Sequence, residues 1–378
     1  MSPTLLRMSV LATCLPICLF SAGPSSDTKI PGSWAWKAAA YLDQRAGWWM
    51  AWPVAARDHG TFCISCHTAM PYALARPALR KALDEESASP NERKLLDNVT
   101  KRVRLWKDAG PFYGEESGVN KSAESRGTEA ILNALILASN DARRGRLSDD
   151  ARAAFDHMWA LQRSAGDEKG AWPWLNFDNA PFEAGDSVYY GASLAAVAVG
   201  TAPESYRATP AIQTNLNLLR DYITRNSATQ SLINKVVALW AASKLPRLMT
   251  RNQQQSIINE VLDKQRPDGG WSLSSLAWTL RSSSIRSLAK LWLVSEDSPL
   301  DVKSDGYATG LITFALEQNR FPRSDPHLQR GLDWLAHNQS QTEGGWPGYS
   351  LNHHRPHHFM SDAATAYAVL ALTGTSSP

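Results

Sequence analysis

The sequence predicts an all-α protein built from helical hairpins, and three observations support this fold class. From about residue 122 onward, apolar residues recur at helical spacing, with little of the alternation typical of strands. Proline and glycine separate the apolar segments. A glutamine followed by a Gly-Trp pair recurs after several of the predicted helices, which indicates an internal repeat.

The individual helices follow from these patterns. Thr128 to Ala138 places its apolar side chains on one stripe. Ser148 is the expected N-cap of the next helix, because its hydroxyl can accept a backbone N–H, and the acidic residues after it favour the positive end of the helix dipole. Further helices are predicted over 186–199, 208–225, 228–244, 250–264, 284–294, 305–318, 325–338 and 362–373.

The repeat has a physical rationale. Glycine permits a turn with positive φ, tryptophan can pack back on the end of the helix, and the glutamine amide can bind the backbone groups left free there. The three copies are Gln162 with Trp172, Gln265 with Trp271, and Gln339 with Trp346. We also identify a degraded early copy at Gln44 with Gly47-Trp48.

The first 23 residues resemble an export signal. Arg7 is followed by an apolar run over 9–20 and by the small residues 21–23 expected near a cleavage site. The alternative is an uncleaved anchor. No other uninterrupted apolar stretch reaches the roughly 18 residues of a membrane span, although peripheral membrane contact stays open. We expect a periplasmic or otherwise exported protein.

The net charge and the tryptophan content indicate which kinds of partner the protein binds. The formal net charge is +3 and the basic residues are scattered, so nothing indicates nucleic-acid binding. The chain contains 15 tryptophans. Because each tryptophan buries a large apolar area and carries one N–H donor, this content is typical of repeated packing layers or of an aromatic-lined pocket.

Loss of the predicted signal would remove Cys14 and Cys18 and leave Cys63 and Cys66 in the segment Cys63-Ile64-Ser65-Cys66-His67. C-x-x-C-H is the attachment pattern of haem c. The two cysteines would form thioethers, and His67 would be an axial ligand of the iron. We therefore predict one covalent haem c. The alternatives are a structural disulfide, a thioredoxin-like redox pair and a zinc site.

The second axial ligand is not evident from the sequence. Met70 follows His67 too closely to reach the opposite face of a haem, and the next methionine or histidine is His157. The candidates are Met50 and His59 upstream, or the downstream segment 353–360, unless the iron has no sixth ligand. That segment contains the candidates His353, His354, His357, His358 and Met360. We favour His358, with Met360 second; the alternative is a solvated polar loop.

The repeats are similar to the QW repeats of the terpenoid-cyclase and prenyltransferase superfamily. The chain most resembles squalene–hopene cyclase-like proteins over roughly 120–376, which implies an (α/α) toroid of helical hairpins. Together with the C-x-x-C-H motif, the segment 304–310 resembles an uncharacterised bacterial group described as squalene cyclase-like or cytochrome c-like. The implied division is a signal peptide at 1–23, a haem-bearing helical segment at 24–110 and a toroid at 111–376.

The catalytic motifs of that superfamily are missing from this sequence. It contains no D-x-D-D acid motif and no aspartate-rich magnesium motif. Asp186, Asp305 and Asp362 stand near helix starts and are followed by Tyr189, Tyr307 and Tyr367, so that they could line the rim of a central cavity. The alternative role of the three aspartates is N-capping. Asp305 is our candidate catalytic acid, because glycines beside it allow close approach.

Three alternative functions are consistent with these sequence features. The first is an exported haem protein in electron transfer or an oxidoreductase reaction, whose toroid binds an isoprenoid, a quinone or a redox partner protein. The second is a cyclase-like enzyme acting on a polyprenyl substrate, and the third is a non-enzymatic binding or scaffold module. We favour the first, and leave the substrate and the oligomeric state open.

Overall fold

The computed structural model describes residues 32–277, 303–351 and 358–374, and most of these residues are helical. The prediction of an all-α fold is confirmed. The predicted signal at 1–23, the predicted helix at 284–294, and the candidates His353, His354 and His357 lie outside the described residues.

The helices of the first half are α1 (Ser33–Ala51), α2 (Ala69–Ala82), α3 (Pro90–Arg104), α4 (Lys121–Asp141), α5 (Asp149–Ala160), α6 (Ser187–Thr201) and α7 (Glu204–Arg207). Those of the second half are α8 (Gln213–Asn226), α9 (Leu232–Lys244), α10 (Arg251–Asp263), α11 (Leu273–Ala277), α12 (Gly306–Gln318), α13 (Pro326–His337) and α14 (Phe359–Leu372). Single 3₁₀ turns occupy Pro53–Ala55, Asp58–Gly60, Glu115–Ser117, Ala142–Arg144, Pro210–Ile212 and Ser227–Thr229. A two-stranded antiparallel hairpin consists of β1 (Ala56–Arg57) and β2 (Thr61–Phe62).

The long helices fall into two classes by burial. Helices α4, α6, α9, α12 and α14 are buried over most of their surface. Helices α3, α5, α8, α10 and α13 bury one side and expose the other. Because a helix that is apolar all round must be covered on all sides, the first class lies inside the molecule and the second outside it.

The packing between helices follows a simple order. Helix α2 packs against α4 and α14, α4 against α6, α6 against α9, α9 against α12, and α12 against α14. The outer helices cover these: α1 lies on α2 and α14, α3 and α5 on α4, α8 on α6, α10 on α9, and α13 on α12 and α14. One continuous apolar core runs through these contacts.

The three predicted repeats share one hydrogen-bond pattern. The indole Nε1 of Trp172, Trp271 and Trp346 donates to a carbonyl of the preceding outer helix, at 2.5, 2.8 and 2.7 Å respectively. Each glutamine amide donates to the carbonyl of the glycine in its own turn, at 2.9, 2.8 and 2.7 Å. The predicted roles of glutamine and tryptophan are confirmed.

Each glutamine also binds the start of the next outer helix. Gln162 donates to the carbonyl of Asn215 at 3.0 Å and Gln265 to that of His327 at 2.8 Å. Gln339 donates to the carbonyl of Trp34 in α1, at 2.9 Å. The last repeat therefore joins the C-terminal part of the described chain to its first helix.

The repeat glycines are required by conformation and by space. Gly170, Gly269 and Gly344 have φ of 98°, 91° and 82°. A Cβ at Gly344 would lie 2.6 Å from the carbonyl oxygen of Lys37. Because side chains rarely adopt this φ and a contact this short is repulsive, only glycine fits the turn.

Two local predictions have different outcomes. Ser148 caps α5, since its hydroxyl accepts the N–H of Ala151 at 3.2 Å. The degraded early copy of the repeat is wrong: Gln44 and Gly47 lie inside α1, which continues to Ala51. No turn forms there, because the helical hydrogen bonds run through the glycine.

Candidate functional site

The Cys-x-x-Cys-His motif lies between β2 and α2, and neighbouring elements hold its backbone. The N–H of Cys63 donates to the carbonyl of Ala55 at 2.8 Å. The amide of Asn98 in α3 both accepts from the N–H of Phe62 at 2.9 Å and donates to its carbonyl at 3.0 Å. The indole of Trp49 in α1 donates to the carbonyl of Cys63 at 2.7 Å. Three elements thus determine where the first cysteine lies.

The two thiols are buried, and their sulfur atoms are not bonded to each other. Burial raises the pKa of the Cys63 thiol to about 12 and also raises the pKa of Cys66. Between them, the hydroxyl of Ser65 accepts the backbone N–H of Thr68 at 3.2 Å and that of Ala69 at 3.0 Å. These bonds start α2 immediately after His67.

A hydrogen-bond chain sets the tautomer of His67. The hydroxyl of Thr68 donates to Oδ2 of Asp362 at 2.6 Å, and the same hydroxyl oxygen lies 2.9 Å from Nδ1 of His67. Since the hydroxyl has one proton and gives it to the carboxylate, it accepts from the imidazole. Nδ1 therefore carries the hydrogen, and the lone pair of the ring is on Nε2.

Asp362 is the anchor of this chain. Its carboxylate accepts from Nε of Arg45 at 2.6 Å, from Nη2 of Arg45 at 3.1 Å and from the hydroxyl of Tyr41 at 3.1 Å. Burial raises the pKa of the Asp362 carboxyl, and Arg45 and the two hydroxyls oppose that rise. Asp362 lies in the first turn of α14, whose N-cap is His358, so the capping role considered for it is wrong.

Aromatic rings surround the imidazole of His67. Phe359 stacks on it at a centroid distance of 4.1 Å, and Trp49 meets it edge-on at 5.0 Å. Phe182, which precedes α6, lies 6.4 Å away. Phe359 in turn packs against Trp52 at 6.2 Å. The start of α14 thus lies directly against the motif.

A groove of about 580 Å³ runs beside the hairpin that leads to Cys63. Its walls include Val54, Arg57 and Tyr113. Cys63, Cys66 and His67 are not among the residues that line it. Its volume lies in the range usual for sites of small molecules and cofactors.

The candidates for a sixth ligand are placed as follows. His358 is exposed, with a left-handed φ of 57°, and Met360 is buried. Met50 is buried on α1, and Nε2 of His59 lies 3.3 Å from the carbonyl oxygen of Asp108. His358 and Met360 flank Phe359, so they belong to the segment that contacts His67. The identity of the sixth ligand stays a prediction.

Asp305 is the N-cap of α12. Its Oδ1 accepts from the N–H of Ala308 at 2.8 Å, and its Oδ2 from the N–H of Leu273 at 2.6 Å. Complete burial raises the pKa of this carboxyl to about 7, although both bonds act to lower it. The predicted capping is confirmed, and a role as catalytic acid stays a prediction. Asp186 instead accepts from the hydroxyl of Ser231, the N-cap of α9, at 3.2 Å and from the amide of Asn234 in α9 at 3.1 Å.

Among the described residues, no helix is both long and apolar enough to cross a membrane. Within the same part of the chain, no three His, Cys, Asp or Glu side chains converge as ligands of a bare metal ion.

Comparison with known proteins identifies no family for this chain. No protein-family model matches the chain, and no curated protein matches it. Solved structures that match include one of a glycosidase variant, which is 10% identical with a TM-score of 0.49. That match covers 90% of this chain and 97% of the other. A likeness at this level says nothing about activity.

Proposed function

We propose that this protein is an exported c-type haem protein with a role in electron transfer or an oxidoreductase reaction. The observation that carries the proposal is the bond chain from His67 through Thr68 to Asp362. It leaves the lone pair on the imidazole nitrogen that ligates iron in c-type haem proteins, next to two thiols that are not joined to each other.

The residues present fit a covalent haem c. Cys63 and Cys66 would hold the porphyrin by thioethers, and His67 would ligate the iron. When bound, the haem supplies one-electron redox chemistry at the iron, with a potential set by the axial ligands and their surroundings. The groove lies beside the hairpin that leads to Cys63, and the two thiols themselves are buried.

The chain's own residues would tune such a group. A carboxylate that accepts, through a hydroxyl, from an axial histidine orients the ring and raises its basicity. Thr68 and Asp362 are arranged in this way. Trp49 and Phe359 pack against the imidazole, which is half-buried.

We further infer that the described helices form an (α/α) toroid. The closed order of contacts α2–α4–α6–α9–α12–α14–α2, with an outer helix for each inner one, supports this arrangement. The bond from Gln339 to Trp34 supports closure between the last hairpin and the first. In this toroid α1 and α2 form one of the hairpins, so that the haem motif belongs to the ring and not to a separate segment at 24–110.

The direct test is to express the full chain in a host that attaches haem c and to recover the exported protein. We expect its mass to include one haem, and its reduced spectrum, with and without carbon monoxide, to report one iron centre. His67→Gln should change the spectrum while leaving the thioethers in place. His157→Gln is the matched control, because that ring stacks on Trp106 at 4.5 Å, away from the motif.

An exported polypeptide that carries no haem and has Cys63 joined to Cys66 would refute the proposal. So would a spectrum that His67→Gln and His157→Gln change equally.

A further inference from the structure

The groove of about 580 Å³ has one wall from the hairpin that leads to Cys63 and the other from the loop 110–116. Its apolar lining residues are Val54, Ala56, Pro111 and Phe112. Its polar lining residues are Arg57, Asp58, Tyr113 and Glu116. Apolar walls with a small number of polar groups are typical of a site for a small molecule.

The two walls are fixed to each other. The N–H of Gly110 donates to Oδ2 of Asp58 at 2.6 Å, which joins the loop to the hairpin. Nη2 of Arg102 donates to the carbonyl of Gly110 at 2.7 Å, and its guanidinium lies over the ring of Phe112 at 4.6 Å. Arg102 is fully buried and also pairs with Glu129 of α4. Because the walls are already ordered, a ligand that binds between them orders little else.

Arg57 is the cation of this groove, and it forms no ion pair within the described residues. Its Nη1 donates to the carbonyls of Val54 and Ala56, at 2.8 and 2.7 Å, and its guanidinium lies over the ring of Tyr113 at 5.0 Å. These contacts hold the side chain in place. Its Nη2 has no hydrogen-bond partner in the same residues and, unlike Nε, is not buried. A positioned guanidinium thus keeps a free donor at the groove.

The two carboxylates of the groove are placed differently. Asp58 is matched by Arg102, whose Nη1 lies 3.6 Å from its Oδ1. Glu116 is exposed and accepts the N–H of Gly114 at 2.9 Å. Backbone hydrogen bonds lower the pKa of Glu116, so it stays charged, and water and salt screen its exposed charge. Arg57 is the less exposed of the two remaining charges, so it acts more strongly on a bound ligand.

These groups indicate the chemistry of the ligand. A guanidinium binds a carboxylate through charge-assisted hydrogen bonds. The hydroxyl of Tyr113 has no partner within the described residues and is not buried. Burial of most of the ring raises the pKa of Tyr113, so the hydroxyl stays protonated and can donate a second bond. One guanidinium beside apolar walls matches a single negative charge on a hydrocarbon, whereas Arg57 would repel an ammonium group.

We propose that this groove binds a small apolar monocarboxylic acid in its ionised form. Nη2 of Arg57 and the hydroxyl of Tyr113 would donate to the carboxylate oxygens, and Val54, Pro111 and Phe112 would contact the hydrocarbon. The site goes beyond the proposed function and does not rest on it, because no residue of the Cys-x-x-Cys-His motif lines the groove.

The test measures the binding of three probes to the exported full-length protein by isothermal titration calorimetry. Hexanoate carries both the charge and the hydrocarbon chain, 1-hexanol carries the chain alone, and acetate carries the charge alone. We expect hexanoate to bind at least about tenfold more tightly than 1-hexanol, which offers no charge to Arg57. It should also bind at least about tenfold more tightly than acetate, which lacks the methylene groups that the apolar wall would cover.

Variants locate the site. Arg57→Gln should weaken hexanoate binding about ten- to a hundredfold, the usual effect of a hydrogen bond to a charged group, with unchanged affinity for 1-hexanol. Tyr113→Phe should weaken hexanoate binding about three- to tenfold, and its thermal stability should not fall, since the lost hydroxyl has no partner. Arg104→Gln is the matched control: Arg104 pairs with Asp150 at the surface and does not line the groove, so hexanoate affinity should not change.

Absence of hexanoate binding, or equal affinities for hexanoate and 1-hexanol, would overturn the assignment. So would unchanged hexanoate affinity in the two groove variants, or an equal loss in Arg104→Gln. Circular dichroism shows whether Arg57→Gln folds, and if it does not, Tyr113→Phe alone decides. The haem is measured separately by its spectrum. A protein without haem that still binds hexanoate through Arg57 would refute the proposed function and leave this site intact.

Discussion

Asp362→Asn is the substitution that tests the bond chain behind His67 most directly. The carboxylate is 2% exposed and accepts two bonds from Arg45, whose side chain is 14% exposed. Asparagine has the same shape but no charge, so it leaves a nearly buried guanidinium without its counter-ion. It also offers one acceptor oxygen to donors from Arg45, Tyr41 and Thr68, which now share two.

The expected loss of stability follows from this geometry. Removing one member of a buried ion pair costs about 3–5 kcal/mol. Because asparagine keeps one acceptor oxygen and Arg45 is slightly exposed, we expect Asp362→Asn to cost about 3 kcal/mol. For a chain of 378 residues, the entropy of unfolding at the midpoint is roughly 0.8 kcal/mol/K, so Tm should fall by about 4 °C.

Thermal unfolding followed by circular dichroism measures this shift, and Asp150→Asn provides the control. Asp150 also accepts two bonds from one arginine, Arg104, at 2.8 and 2.9 Å, but that pair lies at the surface with Arg104 68% exposed. Exposed ion pairs contribute little, so Tm should not change measurably. Equal shifts in the two variants would show that the buried network does not stabilise the start of α14.

Two further predictions concern Asp305 and Gly344. The pKa of Asp305 is about 7 in the folded protein and roughly 3.9 in an unfolded chain. Because the folded state holds the proton more tightly, Asp305 stabilises the fold fully below pH 4, and this contribution of about 4 kcal/mol is lost as the pH rises to 7. Asp305→Asn should therefore flatten the pH dependence of the unfolding free energy in urea titrations between pH 4 and 7.5, and parallel profiles would contradict the assignment. Gly344→Ala combines a φ of 82° with a Cβ 2.6 Å from the carbonyl oxygen of Lys37 and should cost at least about 3 kcal/mol. Gly145→Ala, with a φ of 64° and nothing within 4 Å, should cost only about 1–2 kcal/mol in the same urea assay, and equal costs would rule out the close approach as the reason for glycine.

The sequence alone predicted the features that depend on nearby residues. Helical periodicity located α9 and α10 to within a few residues, and the repeats around Gln265 and Gln339 have the hydrogen bonds expected of them. These features are local, because a positive φ, a cap or an i to i+4 ladder is decided by residues close together in the chain. The C-x-x-C-H motif is likewise a local pattern, so the sequence alone predicts it as a haem attachment motif.

Contacts between distant segments could not be predicted in this way. Thr68 and Asp362 are 294 positions apart, and only the packing of α14 against α2 brings them together. Asp362 and Asp305 looked alike in sequence, yet one anchors the hydrogen-bond chain behind His67 and the other caps a helix. Likewise Tyr190, and not Tyr189, turns toward Phe182, since the rotation of α6 within the core decides which of two adjacent tyrosines faces inward. Local propensity determined the helices, and the way they close around one another determined which side chains meet.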